Sequence, residues 1–89
     1  MTRITEAPSF TRSYKSLIQG RPSLEKIFRE RLLLFIADPY HPRLATHKLK
    51  GKLKKSWAFS LTFSLRVVFR FEEDNIVVLE NIGPHDDVY

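Results

Sequence analysis

Large apolar side chains occupy every odd position between residues 57 and 71, and most of the even positions carry small or polar side chains. The odd positions are Trp57, Phe59, Leu61, Phe63, Leu65, Val67, Phe69 and Phe71. Successive side chains of a β-strand point to opposite faces, whereas a helix would scatter these residues around its circumference. Because the segment exceeds the usual length of a strand, the pattern predicts two strands joined by a tight turn near residues 62–64.

Two shorter segments predict the remaining strands. Residues 3–6 form a strand candidate that ends before Pro8, and residues 76–82 form another after a polar turn at residues 72–75. The last of these strands would extend the hairpin of residues 57–71 into a three-stranded antiparallel meander.

The segment between the first strand and the meander predicts two amphipathic helices. Apolar side chains recur at helical spacing over residues 10–18 and again over residues 24–35. Gly20 and Pro22 separate the helices, and Pro39 ends the second one. The helices would bury their apolar stripes on the odd-numbered face of the sheet. The sequence therefore predicts an α+β fold in two layers, with an N-terminal strand, a helical hairpin and then a three-stranded antiparallel meander.

Length and composition predict one domain that spans residues 1–89. The chain has no cysteine, which excludes disulfides and thiolate metal sites and is consistent with a reducing cytoplasm. It has neither a signal-peptide pattern nor an apolar run near the ~18 residues of a membrane span, so we expect a cytoplasmic protein without membrane contact. The three histidines lack HExxH spacing, so we expect no metal site. The sequence also lacks a phosphate-binding glycine motif, so we expect no cofactor.

Charge is unevenly distributed along this basic chain, whose net charge is +5. No acidic residue lies between positions 39 and 71, and the same segment contains Arg43, Lys48, Lys50, Lys52, Lys54, Lys55, Arg66 and Arg70. Such a surface would concentrate phosphates by a salt-dependent and sequence-independent attraction. The alternatives are a solvated loop for the lysine run and a solvated or salt-bridged strand position for Arg70.

The C-terminal segment adds two residues that could take part in catalysis or binding, His85 and Tyr89. Histidine transfers protons near neutral pH, and tyrosine stacks on an unpaired base. A proton-transfer group beside a phosphate-binding surface predicts chemistry on a nucleic acid. The alternative for His85 is a turn histidine that makes a backbone hydrogen bond, and we expect His41 to be structural.

The predicted elements carry motifs in a characteristic order: His47-x-Leu49-x-Gly51, Trp57, Leu65-Arg66-Val67-Val68-Phe69 and Gly83-x-His85-x-x-x-Tyr89. In this order and spacing the chain resembles the RelE/ParE superfamily of bacterial toxins over essentially its whole length, with most likeness to the YafQ and RelE branches. The resemblance implies a microbial-RNase-like endoribonuclease, an mRNA interferase that cleaves mRNA in the ribosomal A site. It also implies a small antitoxin as partner, in a complex that binds operator DNA through the antitoxin.

The resemblance assigns catalytic roles to four residues of this sequence. His47 matches a catalytic histidine of YafQ-like toxins, and Arg66 matches the strand arginine that contacts the scissile phosphate in RelE. His85 matches a C-terminal position that is histidine or arginine in the two branches, and Tyr89 matches the terminal aromatic residue. RNA cleavage without a metal needs a base, a cation against the phosphorane charge and an acid, and these side chains would supply them.

Three positions depart from the family pattern. Ala58 and Ser60 replace two strand lysines of RelE, Ser60 also replaces a second histidine of YafQ, and Ser64 replaces its aspartate. Two other function classes remain open on the sequence. One is a ParE-like inhibitor of DNA gyrase, since fold does not fix function, and the other is a non-catalytic nucleic-acid-binding module, a decayed toxin.

Overall fold

A computed structural model describes residues 2–51 and 55–84 of the chain. Along the sequence the described part contains strand β1, two helices, a short 3-10 turn and four further strands. Their bounds are β1 Arg3–Glu6, α1 Pro8–Leu17, α2 Pro22–Ala37, the 3-10 turn Pro42–Leu44, β2 His47–Lys48, β3 Trp57–Ser60, β4 Leu65–Phe71 and β5 Ile76–Pro84. Within this part, no helix is both long enough and apolar enough to span a membrane.

The strands form one sheet in the order β1-β5-β4-β3-β2. Strand β1 pairs with β5 in parallel, and every other neighbouring pair is antiparallel. The predicted α+β class, the N-terminal strand, the helical hairpin and the meander of β3, β4 and β5 are confirmed. The sheet has one more strand than predicted. The additional strand is β2, which pairs with β3 over only two residues. So short a strand leaves no periodicity in the sequence.

The helical hairpin forms where the sequence breaks the helical pattern. Gly20 adopts a positive φ of 83°, which favours glycine, and Pro22 is the first residue of α2. The backbone amides of Ile18 and Gln19 both donate to the carbonyl of Tyr14, which closes the last turn of α1. These features set the connection between the two helices.

The helices cover the face of the sheet that carries the odd-numbered side chains of β3 and β4. Phe59, Val67 and Phe69 are fully buried there. Phe35 of α2 stacks on Phe59 with a 4.7 Å separation of ring centroids and meets Phe69 edge to face at 4.8 Å. Phe10 of α1 belongs to the same core. The predicted assignment of the two faces is therefore correct.

The opposite face of the sheet is less polar than strict alternation suggests. Ala58 and Val68, at even positions, are buried in a second small cluster with Leu49. Leu49 follows β2, and its amide donates to the carbonyl of Ser56 at 2.9 Å, which holds the chain against this face. The added strand β2 thus buries side chains that would otherwise contact solvent.

A β-bulge in β5 changes the register beside this face. Val68 lies opposite Asn81 and Phe69 lies opposite Leu79, so Glu80 has no partner of its own in the ladder. The side chain of Glu80 instead contacts Ser56 and Arg70. The bulge therefore places a carboxylate on the sheet face that also carries Arg66.

Candidate active site

His47 is the first residue of β2, and its ring orientation is fixed by the backbone. Its Nδ1 lies 2.9 Å from the carbonyl oxygen of Ala45. A carbonyl oxygen only accepts hydrogen bonds, so this contact requires the proton of the imidazole to reside on Nδ1. The neutral ring then presents the lone pair of Nε2 on its other side. This is the tautomer in which Nε2 accepts a proton.

Arg66 lies on β4 within reach of that nitrogen. Its Nη1 is 3.4 Å from Nε2 of His47, a long hydrogen bond in which the guanidinium donates. Strand β3 lies between β2 and β4, so the two side chains approach each other across an intervening strand. The position opposite Arg66 on β3 is Ser60, which is small and half-buried. The arrangement places a proton acceptor beside a permanent cation.

The loop before β2 is held by several local contacts. The ring of His41 accepts a hydrogen bond from the amide of Arg43 at 3.1 Å and caps the 3-10 turn. Ala45 adopts a left-handed conformation with φ 50°, and the hydroxyl of Thr46 donates to the carbonyl of Pro39 at 2.5 Å. His41 therefore has the structural role expected from the sequence. The carbonyl that orients His47 belongs to this restrained loop.

Arg70 lies four residues beyond Arg66 on the same strand, and two carboxylates hold it. Its Nε is 2.7 Å from Glu72 and its Nη1 is 3.1 Å from Glu80. The hydrogen bond to Glu72, and then the contact with Glu80, raise the pKa of Arg70 above its ordinary value. Arg70 is thus a salt-bridged strand residue, the alternative that the sequence left open. Its predicted role in RNA binding stays a prediction, and the structure does not place it with His47 and Arg66.

Four of the predicted RNA-binding residues lie near β2 and β3. All four have exposed side chains: Arg43 precedes β2, Lys48 is its second residue, and Lys50 and Lys55 lie in the connection from β2 to β3. Their exposure is compatible with phosphate binding and with the alternative of solvated lysines. Lys52 and Lys54 lie outside the described residues.

His85 and Tyr89 also lie outside the described residues, and their catalytic roles stay predictions. The described end of β5 is nevertheless informative. Gly83 pairs with Arg66, and Pro84 pairs with Leu65 at the start of β4. His85 follows Pro84 in the sequence.

Sequence reasoning missed two features near the site. Glu80 reads as an ordinary strand residue, and the bulge that brings it to Ser56 and Arg70 has no signal in the sequence. Phe63 fits the apolar alternation of its neighbours, yet it lies in the turn between β3 and β4 and is fully exposed. The predicted turn at residues 62–64 was the available signal for that exposure.

In the described ranges, the side chains that could bind a metal ion are not clustered. Across residues 2–51 and 55–84, no three His, Asp or Glu side chains are grouped closely enough to hold a metal ion. The chemistry that His47 and Arg66 offer is proton transfer beside a cation. This combination suits a reaction at a phosphodiester.

Solved bacterial toxins share this fold. YafQ from E. coli BL21(DE3) superposes with a TM-score of 0.79 at 16% identity, over 100% of this chain and 99% of that chain. A metal-bound toxin from Helicobacter pylori gives 0.76 at 24% identity over 100% of both chains. YoeB in the YoeB–YefM complex from Staphylococcus aureus gives 0.76 at 21% identity, over 96% of this chain and 98% of that chain. No protein-family model matches the sequence, and no curated protein matches it in sequence.

The similarity covers every described element and defines the class of fold. The chain has the fold of the RelE, YoeB and YafQ type of toxin, as its resemblance to the RelE/ParE superfamily implied. Because the sequence identities are below 25%, the comparisons establish the architecture alone. The reaction has to be argued from the site itself.

Proposed function

We propose that this chain is the toxin of a bacterial type II toxin–antitoxin system and acts as a metal-independent endoribonuclease on mRNA at the ribosomal A site. The observation that carries the proposal is the contact between Nε2 of His47 and Nη1 of Arg66. It brings an imidazole nitrogen and a guanidinium together in a fold that YafQ and YoeB share. The basic, acid-free segment 39–71 supplies attraction for RNA.

His47 is the proposed general base. When Arg66 binds the scissile phosphate, Nε2 of His47 takes the proton from the adjoining 2′-hydroxyl, because the contact with Ala45 keeps the other ring proton on Nδ1. The 2′-oxygen then bonds to phosphorus, and negative charge develops on the phosphorane oxygens. Arg66 stabilises that charge with its planar, permanently charged guanidinium.

The bond from phosphorus to the 5′-oxygen then breaks, and the leaving oxygen needs a proton. We assign this step to His85 as general acid, and we assign to Tyr89 the orientation of a base or of the scissile phosphate by stacking or hydrogen bonding. The products are a 2′,3′-cyclic phosphate and a 5′-hydroxyl end. In this reaction His47 gains one proton and His85 loses one. The attachment of His85 directly after Pro84, which pairs with Leu65, supports this assignment.

Binding of RNA and ribosome is assigned to the basic side chains around β2. They are Arg43, Lys48, Lys50, Lys52, Lys54 and Lys55. Their attraction for phosphates does not depend on sequence, so codon preference must arise from contacts with bases. Arg70 would contribute with the guanidinium donors that Glu72 and Glu80 do not occupy, since the printed contacts involve only its Nε and Nη1.

The partner in this proposal is an antitoxin with an acidic, partly disordered tail. Such a tail would wrap the helical hairpin and cover the basic surface, and it would fold as it binds. The shared fold with YoeB of the YoeB–YefM complex supports a protein partner. The hetero-oligomer would bind operator DNA through the antitoxin, and the protein would act in the cytoplasm, where mRNA is translated. Co-expression with the neighbouring reading frame should relieve toxicity and yield a salt-sensitive complex, and failure of both would contradict the proposed partner.

An in vitro translation reaction with primer extension on the message tests the activity. Discrete cuts within translated codons, with 2′,3′-cyclic phosphate ends, are the expected result. Inhibition of DNA supercoiling by gyrase without RNA cuts would instead identify a ParE-like toxin. Neither effect from a folded protein would identify a non-catalytic, decayed module.

A further inference from the structure

Phe63 stands apart from the other aromatic residues of the described chain. Its side chain has a relative exposure of 103%, whereas the phenylalanines at positions 59 and 69 are fully buried. It lies between Thr62 and Ser64, at the tip of the turn that joins β3 and β4. When a partner covers a fully exposed aromatic ring, more apolar surface is removed from water than for a partly buried ring, and the free energy of binding is correspondingly more favourable.

The turn holds Phe63 in a defined position. The hydroxyl oxygen of Thr62 accepts hydrogen bonds from the amides of Ser64 at 3.3 Å and Leu65 at 3.1 Å. The amides of Leu61 and Thr62 both donate to the carbonyl of Leu65, at 2.9 and 3.3 Å. Leu61 is itself buried in the main core and anchors the base of the turn. The exposed ring is therefore carried on a restrained turn, which lowers the entropic cost of contact with a partner.

The tip lies at the same end of the hairpin as the candidate active site. Ser60 and Arg66 form the last pair of the β3–β4 ladder before the turn, and Phe63 is three residues from Arg66. Because residues 63 and 64 belong to the turn, three residues span at most about 10 Å, the value for a fully extended strand. A nucleotide next to a phosphate held by Arg66 would lie within this distance of the ring.

The surroundings of the ring favour a nucleobase over a protein as its occupant. Its sequence neighbours Thr62 and Ser64 have polar side chains and Leu61 is buried, so no exposed apolar side chain of its own turn, residues 61–64, continues the ring into a patch of the kind that marks protein interfaces. No acidic residue lies within positions 39–71, so a phosphate chain meets no repulsion along this part of the sequence. An isolated aromatic plane beside a phosphate-binding arginine is the arrangement by which proteins hold unpaired bases.

We propose that Phe63 is a stacking platform for the base of an unpaired nucleotide adjoining the phosphate bound by Arg66. The inference rests on the proposed ribonuclease function and extends it to a contact that reads the substrate beside the cut. Phe63 binds and does not transfer protons. Its loss should therefore weaken substrate binding and alter the preference for bases near the cut, with little effect on the rate at saturation.

The test is single-turnover cleavage of an mRNA on programmed ribosomes by wild type, Phe63→Ala and Phe63→Trp. The control is Leu33→Ala, which truncates another exposed apolar side chain, of 62% relative exposure, on α2. Loss of stacking should raise the half-saturating toxin concentration of Phe63→Ala by about 5- to 100-fold at an unchanged maximal rate. Phe63→Trp should restore most of the affinity, and Leu33→Ala should match wild type.

A substrate with one abasic nucleotide separates stacking from other effects. At the nucleotide that stacks, the abasic substitution should weaken wild type and leave Phe63→Ala unchanged. Equal half-saturation and equal cut patterns for wild type and folded Phe63→Ala would overturn the inference while the ribonuclease function stood. Weaker binding to the antitoxin with unchanged cleavage would likewise overturn it and assign the ring to the protein partner. Absence of cleavage by wild type would overturn the proposed function, and with it this inference.

Discussion

Nε2 of His47 lies 3.4 Å from Nη1 of Arg66, although the two residues are 19 positions apart in the sequence. The pairing of β2 with β3 and of β3 with β4 brings them together. The carbonyl of Ala45 fixes the tautomer of the imidazole, and the sheet fixes the position of the guanidinium. The imidazole and the guanidinium are therefore adjacent in the folded chain, as electrostatic preorganisation would require in the proposed reaction.

The aromatic core should dominate stability. Phe69 is fully buried and contacts the ring of Phe35, so Phe69→Ala should lower the free energy of unfolding by about 3–5 kcal/mol. Phe63→Ala is the matched control, because it removes the same group from a fully exposed position and should change stability little. Urea unfolding followed by tryptophan fluorescence measures both. Equal stability for Phe69→Ala and wild type would show that the faces of the sheet are assigned wrongly.

The carboxylate of Glu80 should contribute to folding rather than to cleavage. It accepts from Ser56 at 2.7 Å and from Arg70 at 3.1 Å, and Ser56 is buried. Glu80→Ala would leave the Ser56 hydroxyl without this acceptor and should cost about 1–3 kcal/mol of stability. The pKa of Arg70, raised chiefly by the hydrogen bond to Glu72, stays far above neutrality. The contribution of its charge is therefore fully present below that pKa, and stability should not change between neutral and mildly alkaline pH on its account.

A double-mutant cycle with Arg70→Ala and Glu80→Ala measures the coupling of this pair. A coupling near zero would show that the ion pair adds nothing measurable, as is common for exposed pairs. Arg70→Ala also tests the predicted RNA contact. A cleavage defect larger than its loss of stability explains would return Arg70 to the binding surface.

Salt dependence should reveal the phosphate contacts. Lys50 is exposed after β2, and Lys50→Ala should reduce the slope of log affinity for single-stranded RNA against log salt by somewhat less than one unit. Its loss of affinity should be largest at low salt, where counterion release favours binding most. Lys26→Ala, on the exposed side of α2, is the matched control and should keep the wild-type slope. The same slope for both variants would exclude Lys50 from the RNA surface.

The C-terminal residues should separate chemistry from positioning. His85→Ala should lower the single-turnover rate by about 10²–10⁴-fold, as loss of a general acid does, and should abolish growth arrest without unfolding the protein. Tyr89→Ala should slow cleavage without removing a proton-transfer group. Cleavage at the wild-type rate by both folded variants would move the active site away from this segment.

Local patterns in the sequence were enough to predict most of the fold. Alternation from Trp57 to Phe71 defined β3, β4 and the buried face, and Gly20 with Pro22 defined the break between the helices. Features that depend on distant pairing were not predictable. The two-residue strand β2 has no period, and the register shift that frees Glu80 arises only when β4 and β5 pair.

The same distinction between local patterns and distant pairing applies to the candidate site. His47 and Arg66 were selected from the motifs, but their approach across β3 depends on the sheet order. The tautomer of His47 depends on the left-handed turn at Ala45, and a single sequence does not encode that geometry in a recognisable pattern. The exposure of Phe63 likewise follows from where the turn falls within an otherwise uniform alternation.

Single-turnover cleavage of mRNA on programmed ribosomes by folded His47→Ala, beside wild type, tests the central claim most directly. If His47 takes the 2′-hydroxyl proton next to Arg66, the variant should cleave about 10²–10⁴-fold more slowly at saturating toxin, with an unchanged unfolding midpoint and similar RNA affinity. Cleavage by His47→Ala at the wild-type rate would contradict the assignment of His47 and Arg66 as the catalytic centre.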